Sequence, residues 1–274
     1  MAGFVFFTHP PGPELAPFVD SFWGVRGSAH YHIESVLPNG AIELMVNFGP
    51  RQTVVAYGDR DAHDEFRRAW IAGIQDQRVV HASPEGANHI AARFRAGGAH
   101  AFFDLPMDEL TDRVVELDDL IGPGSTDRLW SRLCEASDDE ARCRAFEGWL
   151  LERRSAVHPY FATVRRAIDL LRGSASGTPV GEVCERLGIS NRHLIKQFRE
   201  TVGLAPKAYG RIDRFQRVID ACRGRTDVSW SRVAVAFGFA DQSHLIREFR
   251  RLGMLTPEEF LSARTPDESH VIVG

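Results

Sequence analysis

Hydrophobic and polar positions alternate over short stretches in the first hundred residues and then change period. Apolar runs at Phe18–Trp23, Ile33–Leu37, Ile42–Phe48, Thr53–Tyr57, Trp70–Ile74 and His89–Phe94 read as strands. Pro10-Pro11-Gly12-Pro13, Pro38-Asn39-Gly40, Gly49-Pro50 and Gly97-Gly98 punctuate them as turns. From Asp108 onward the apolar spacing becomes helical. Asp108–Val115, Asp127–Glu135 and Asp138–Arg153 are predicted helices, the last opened by a capping-box pattern at Ser137-Asp-Asp-Glu140. Arg153 to Pro159 reads as a short polar linker, with Pro159 suited to the first turn of the next helix. Beyond it the pattern is helical throughout: Pro159–Arg172, Pro179–Leu187, Ser190–Val202, Pro206–Cys222, Ser229–Phe237, Gln242–Leu252 and Pro257–Ala263. Residues 265–274 read as a loose tail. The expected fold is α+β: an N-terminal β-rich barrel or sandwich, cupin-like in the barrel case, with trailing helices (1–155), then an all-α domain (158–264).

The helical half contains a duplication. Val183-Cys-Glu-Arg-Leu187-Gly188-Ile189-Ser190 matches Val233-Ala-Val-Ala-Phe237-Gly238-Phe239-Ala240 at an offset of 50 residues. His193-Leu194-Ile195-Lys196-Gln197-Phe198-Arg199 matches His244-Leu245-Ile246-Arg247-Glu248-Phe249-Arg250 at 51, and so do the pairs Pro206/Pro257 and Tyr209/Phe260. Each copy is helix, glycine turn, helix, the pattern of a helix-turn-helix. Val183 and Leu187 share one face of a first helix, Gly188 frees the turn, and Ser190 suits the N-cap of the second helix. Leu194, Phe198 and Val202 then face inward, which leaves Arg192, Lys196 and Arg199 on an outer stripe. In the second copy Leu245, Phe249 and Leu252 face inward, and Gln242, Ser243, Arg247 and Arg250 face out.

Charge gives this duplication a direction. The chain has 274 residues and a formal net charge of −4. Residues 158–265 nevertheless hold 18 Lys+Arg against 11 Asp+Glu, whereas residues 1–157 hold 15 against 24. A cationic stripe on one amphipathic helix is ordinarily a solvated face. Two matched stripes in the basic half of an otherwise acidic chain point to a polyanion met by that half alone.

Residues from about 158 to 263 resemble the DNA-binding domain of the AraC/XylS family of bacterial transcription regulators. The first half matches through Leu187-Gly-Ile-Ser190, His193-Leu194, Phe198, Gly203-Leu-Ala-Pro206, Tyr209 and Arg214. The second matches through Ala236-Phe-Gly-Phe239, Asp241-Gln-Ser-His244, Phe249 and Thr256-Pro257-Glu-Glu-Phe260. One departure stands out. Phe198 to Gly203 spans five residues but Phe249 to Gly253 spans four, and Met254 occupies the usual glycine position, so the last turn of that helix is expected to readjust locally.

The resemblance implies two recognition helices held by a linker helix, Pro206–Cys222, and entering successive major grooves about 34 Å apart on one face of duplex DNA. It places base reading at Arg192 and Lys196 in the first helix, and at Gln242, Ser243 and Arg247 in the second. Arg grips guanine O6/N7 and Gln adenine N6/N7 in bidentate fashion, whereas Ile195 offers only an apolar contact to a thymine methyl. Arg199, Arg250 and Arg251, further along, are assigned to phosphates. His193 and His244 hold equal places in the repeat and read as helix-positioning residues, with no acid or nucleophile recurring beside them.

Leu15-Ala-Pro-Phe-Val19, Val36-Leu-Pro-Asn-Gly40, Ala92-Arg-Phe94 and Leu105-Pro-Met-Asp-Glu-Leu110 resemble an uncharacterised domain found ahead of such DNA readers. The implied role is to sense a small effector or to form a homodimer. His30-x-His32-x-Glu34 has the spacing of a metal site on one strand face, though polar residues on an exposed face suffice to explain it. Trp23, Phe48, Tyr57, Trp70, Phe94 and Phe102 read as core rather than a ligand cage. Neither a metal nor a cofactor is expected.

The rival readings are a DNA-repair or ligand-processing enzyme fused to the DNA reader, and a protein-binding adaptor. The first needs a reactive cysteine, and Cys134, Cys143, Cys184 and Cys222 lie far apart without matching ligands. No apolar run is long enough to span a bilayer and no leader pattern opens the chain, which suits a cytoplasmic protein.

Overall fold

The structure, a computed structural model, describes residues 5–27, 33–82, 85–155, 157–174 and 176–264, and the backbone of 270–272. The front half is built on antiparallel strands: β1 Val5–His9, β2 Val19–Gly27, β3 Ile33–Val36, β4 Ile42–Asn47, β5 Gln52–Tyr57, β6 Arg60–Phe66, β7 Ala69–Ala72, β8 Val79–Ala82, β9 Ala87–Phe94 and β10 Val114–Glu116. A last strand, β11 His270–Ile272, comes from the far end of the chain. Among the described residues they form two sheets, ordered β1-β2-β9-β4-β7-β10 and β11-β3-β8-β5-β6. Both are open, so the front half is a sandwich and not a closed barrel.

The two-residue period of the strands sorts the side chains into two cores. On the first sheet Phe22, Leu44, Ile71, Ile90 and Ala92 join the main core, which continues into the helices. The residues between them, Trp23, Met45, Trp70 and Ala91, turn the other way, toward the second sheet. Register aligns them: Met45 pairs with both Trp70 and Ala91, and Ala91 with Trp23. A sheet covered on both faces explains why its central strands are almost continuously apolar.

Helices α1 Leu117–Ile121, α2 Ser125–Cys134 and α3 Asp139–Arg153 cover the outer face. Phe146 of α3 packs on Phe22 at 5.5 Å, and Trp130 Nε1 of α2 donates to Asn47 O at 2.9 Å. The helical half follows as α4 Phe161–Leu171, α5 Val180–Leu187, α6 Asn191–Val202, α7 Pro206–Ala221, α8 Trp230–Ala236, α9 Gln242–Gly253 and α10 Pro257–Ala263.

Several expectations are corrected. Asp108–Val115 is not a helix. A single 3-10 turn, Met107–Leu110, is followed by Asp112 at φ 55°, and Val114–Val115 then pair with Ala72 and Ile71. Free backbone on the β7 edge outcompetes a marginal local helix. The cap of α3 is Asp138 and not Ser137. Its carboxylate accepts from Ala141 N at 2.8 Å, and that bond holds the carboxyl below its usual range. Pro159 lies in the turn before α4 and not inside it. The tail is not loose throughout, because His270–Ile272 pairs antiparallel with Val36–Glu34.

The linker around residue 155 is strapped to the front half. Ser155 N donates to Ala101 O at 2.9 Å and Arg153 Nε to Phe102 O at 3.0 Å. Beyond it the His158 ring lies 4.3 Å from that of His100. Burial, and then His158, lower the His100 pKa below 6.5, while Asp104 and Glu200 pull weakly the other way. An unfolded His100 therefore binds its proton more readily than the folded one. Stability should fall as pH drops through about 6.5. Urea midpoints from pH 7.5 to 5.5 should decline in the unaltered protein and decline less in His100→Gln.

Three further contacts join the halves. Thr111 Oγ1 donates to Gly203 O at 2.7 Å, Gln216 Nε2 donates to Pro38 O at 2.5 Å, and Arg251 faces Asp76 at 3.8 Å. The main core runs unbroken from Leu15 to Phe260.

Candidate nucleic-acid interface and the cavity beside it

Both copies of the repeat are built with the same local devices. Helix α5 ends on Gly188 at φ 67°, and Ile189 N reaches back to Cys184 O at 3.1 Å. Helix α8 ends at Phe237, Gly238 takes φ 69°, and Phe239 N reaches Ala234 O at 2.9 Å. Only a residue without a Cβ adopts this left-handed turn without strain. The next helix then starts on a side-chain cap. Ser190 Oγ accepts from His193 N at 3.2 Å, and Asp241 Oδ1 accepts from His244 N at 2.6 Å. Both histidines thus sit at the third helical position. His244 also accepts from Ala240 N at 3.3 Å and meets the Phe239 ring edge-on, and His193 meets that of Tyr160.

Leu194, Phe198 and Val202 on α6 are buried, as are Leu245, Phe249 and Leu252 on α9. Arg192, Lys196 and Arg199 are exposed on α6, and Gln242, Ser243, Arg247 and Arg250 on α9. Ile195 is half-buried. Lys196 lies 3.6 Å from Glu200, an exposed pair of small weight. Arg251 is exposed but faces Asp76 of the front half. The two copies pack against α7 where Phe198 meets Tyr209 at 6.1 Å and Phe249 meets Phe215 at 4.9 Å, and Ile212, Val218 and Ile219 of α7 lie buried in the same core. Arg214, also on α7, lies over Phe239 at 4.3 Å, which ties the linker helix to the second turn.

The readjusted last turn of α9 has a clear form. Gly203 closes α6 at φ 99°, but in α9 the left-handed cap falls on Met254 at φ 55°. Gly253 serves a different purpose: a Cβ there would lie 3.1 Å from Leu37 Cδ2, so it admits the front half. Met254→Gly should relieve about 1 kcal/mol of backbone strain. A higher urea midpoint with unchanged DNA affinity is the expected result.

The other candidate residues gather differently. His30 and His32 lie outside the described residues. Glu34 is buried rather than on an exposed face, and its Oε1 lies 3.4 Å from His81 Nε2. Among the described residues no group of three or more His, Cys, Asp or Glu could hold a metal ion. Burial raises the thiol pKa of Cys134, Cys143 and Cys184, Cys143 to about 11, the opposite of what activates a nucleophile. Phe94 and Phe102 belong to the main core as expected, and Trp23 and Trp70 to the second core, where they also line a cavity of about 330 Å³ between the two sheets. Sequence reasoning missed this cavity. Its signal was the run of strands apolar on both faces, which requires a second covering layer.

The cavity touches the helical half. Leu37, Asn39 and Ala41 contribute to its lining, and so does Arg223, just beyond α7. The same loop lies against α7, where Pro38 O accepts from Gln216 and Gly40 approaches Tyr209 and Ile212. Burial pushes the Tyr209 hydroxyl up to about 12, and this hydroxyl accepts a bond from Arg172 at 3.1 Å.

A family model described as a helix-turn-helix domain matches residues 163–263, and a model described as a domain of unknown function (DUF6597) matches residues 7–116. No curated protein matches the chain. Among solved structures, wild-type ToxT from Vibrio cholerae strain SCE256 with a bound unsaturated fatty acid is 10% identical, with a TM-score of 0.50 over 95% of this chain and 97% of that one. ToxT from Vibrio cholerae O395 is 11% identical, with a TM-score of 0.48 over 94% and 97%. At such identities the likeness concerns the fold alone. No helix among the described residues is long and apolar enough to cross a membrane.

Proposed function

We propose, from the premise that the chain carries an AraC-type helix-turn-helix domain over residues 163–263 behind a domain of unknown function over residues 7–116, that it is a transcription regulator reading two successive major grooves with α6 and α9. The observation that carries this is the matched construction of the two copies: a left-handed glycine turn, a side-chain cap bonded to the third helical N–H, and an exposed polar stripe, repeated after about 50 residues. Arg192, Lys196, Gln242, Ser243 and Arg247 lie in the first two turns of the two helices, the part that meets base edges. Arg199 and Arg250, about two turns on, suit phosphates. Arg251 suits a phosphate only once it leaves Asp76. Double-stranded DNA in the cytoplasm is the partner in this reading.

The front half in this reading senses a small effector. Its support is the inter-sheet cavity and the loop 37–41 that lines it while resting on α7, the helix that spaces the two readers. A homodimer through the front half remains compatible with the same reading.

The test is binding of the full chain to duplex DNA at several salt concentrations. The three phosphate contacts assigned to Arg199, Arg250 and Arg251 should give a slope of about −2.7 for log K against log salt. Genome-wide mapping should then recover two half-sites separated by one helical turn. Retention without salt dependence, or no binding, would favour the adaptor.

A further inference from the structure

We propose that the cavity between the two sheets binds a neutral, largely apolar, flat ring compound bearing one hydrogen-bond acceptor. The inference rests on the effector reading above and names the ligand chemistry. Three observations carry it. The walls are aromatic and soft: Trp23, Trp70, Phe66, Met45, Val54 and Val79 line about 330 Å³, room for a two-ring molecule held on flat faces. The charges in the lining already have counter-charges or polar partners. Glu43 accepts from Arg93 Nε at 2.5 Å, Glu34 faces His81 at 3.4 Å, and Arg223 pairs with Asp220 at 3.0 Å. An ionic ligand would lose its water and find Arg93, Glu43 and Glu34 already engaged, which burial makes costly, while the half-exposed Arg223–Asp220 pair offers only a screened charge. Last, Trp23 is 7% exposed, and its indole N–H is buried in the wall without an acceptor. A buried donor left unpaired is costly, and a ligand carbonyl brought to that wall would satisfy it.

The experiment titrates the full chain with three probes on one ring system: 2-acetylnaphthalene, 2-ethylnaphthalene and 2-naphthoate. Tryptophan fluorescence and proton–nitrogen NMR of the indole N–H groups report binding without DNA, so the result stands apart from whether the protein reads an operator. The ketone should bind at least tenfold tighter than the hydrocarbon and than the carboxylate. One indole N–H should shift with the ketone and not with the hydrocarbon. Trp23→Phe should erase the ketone's advantage over the hydrocarbon while hydrocarbon binding persists. Val54→Phe, which fills the cavity, should abolish binding of all three. The NMR readout on the unaltered protein keeps the test decisive even where a variant fails to fold. Tightest binding by the carboxylate, no binding by any probe, or a ketone preference unchanged in folded Trp23→Phe would each overturn the proposal.

Discussion

Gly203→Ala should lower the unfolding free energy by about 3 kcal/mol. Two costs add. At φ 99° a side chain strains the backbone by about 1–2 kcal/mol. The new Cβ would also lie 2.8 Å from Ile74 Cγ2, 3.0 Å from Met107 O and 3.1 Å from Thr111 Oγ1. Overpacking of that kind costs about 1–3 kcal/mol. It strikes where Thr111 ties the end of α6 to the front half. Gly188→Ala is the control: its φ of 67° is also left-handed, but nothing lies within 4 Å. It should lose only the backbone part, about 1 kcal/mol. Urea unfolding of both variants checks the difference. Equal losses would mean that the junction around Gly203 contributes nothing.

Arg247→Ala should cost about 1–3 kcal/mol on the preferred operator and relax the preference at one base pair, while leaving non-specific DNA binding little changed. Arg247 is exposed at the sixth residue of α9, one face-turn beyond Gln242 and Ser243. Arg250→Ala should instead weaken every sequence alike and reduce the salt slope by about one. Titrations of both variants against operators changed at each position separate the two roles. Matching, sequence-independent losses would refute the assignment.

How much was legible depended on the range of the forces involved. The helices of the second half were read to within about two residues at most ends, because caps, glycine turns and a period of 3.6 are written locally. Ser190, Gly188 and Pro206 each announce a helix boundary by their own chemistry. In the front half β6, whose residues Arg60–Glu65 are polar apart from Ala62 and mostly exposed, carries no apolar alternation and was missed. It forms because β5 offers it a hydrogen-bonding edge. Strand β8 was missed too, being only four residues long. The false helix at Asp108–Val115 came from the same cause, since a three-residue strand is stabilised by its neighbour and not by its own propensity.

The amino-acid sequence alone determined that two helix-turn-helix units lie about 50 residues apart, which side chains each turns outward, and that their surroundings are basic. Those properties follow from interactions within a few residues along the chain. Only the tertiary structure decided that Gly253 stays small for Leu37, that the core holding Trp23 and Trp70 keeps a cavity, and that the loop 37–41 joins that cavity to α7. The reason is distance along the chain: Leu37 and Gly253 lie more than 200 residues apart, and no local pattern records which distant surface a side chain will meet.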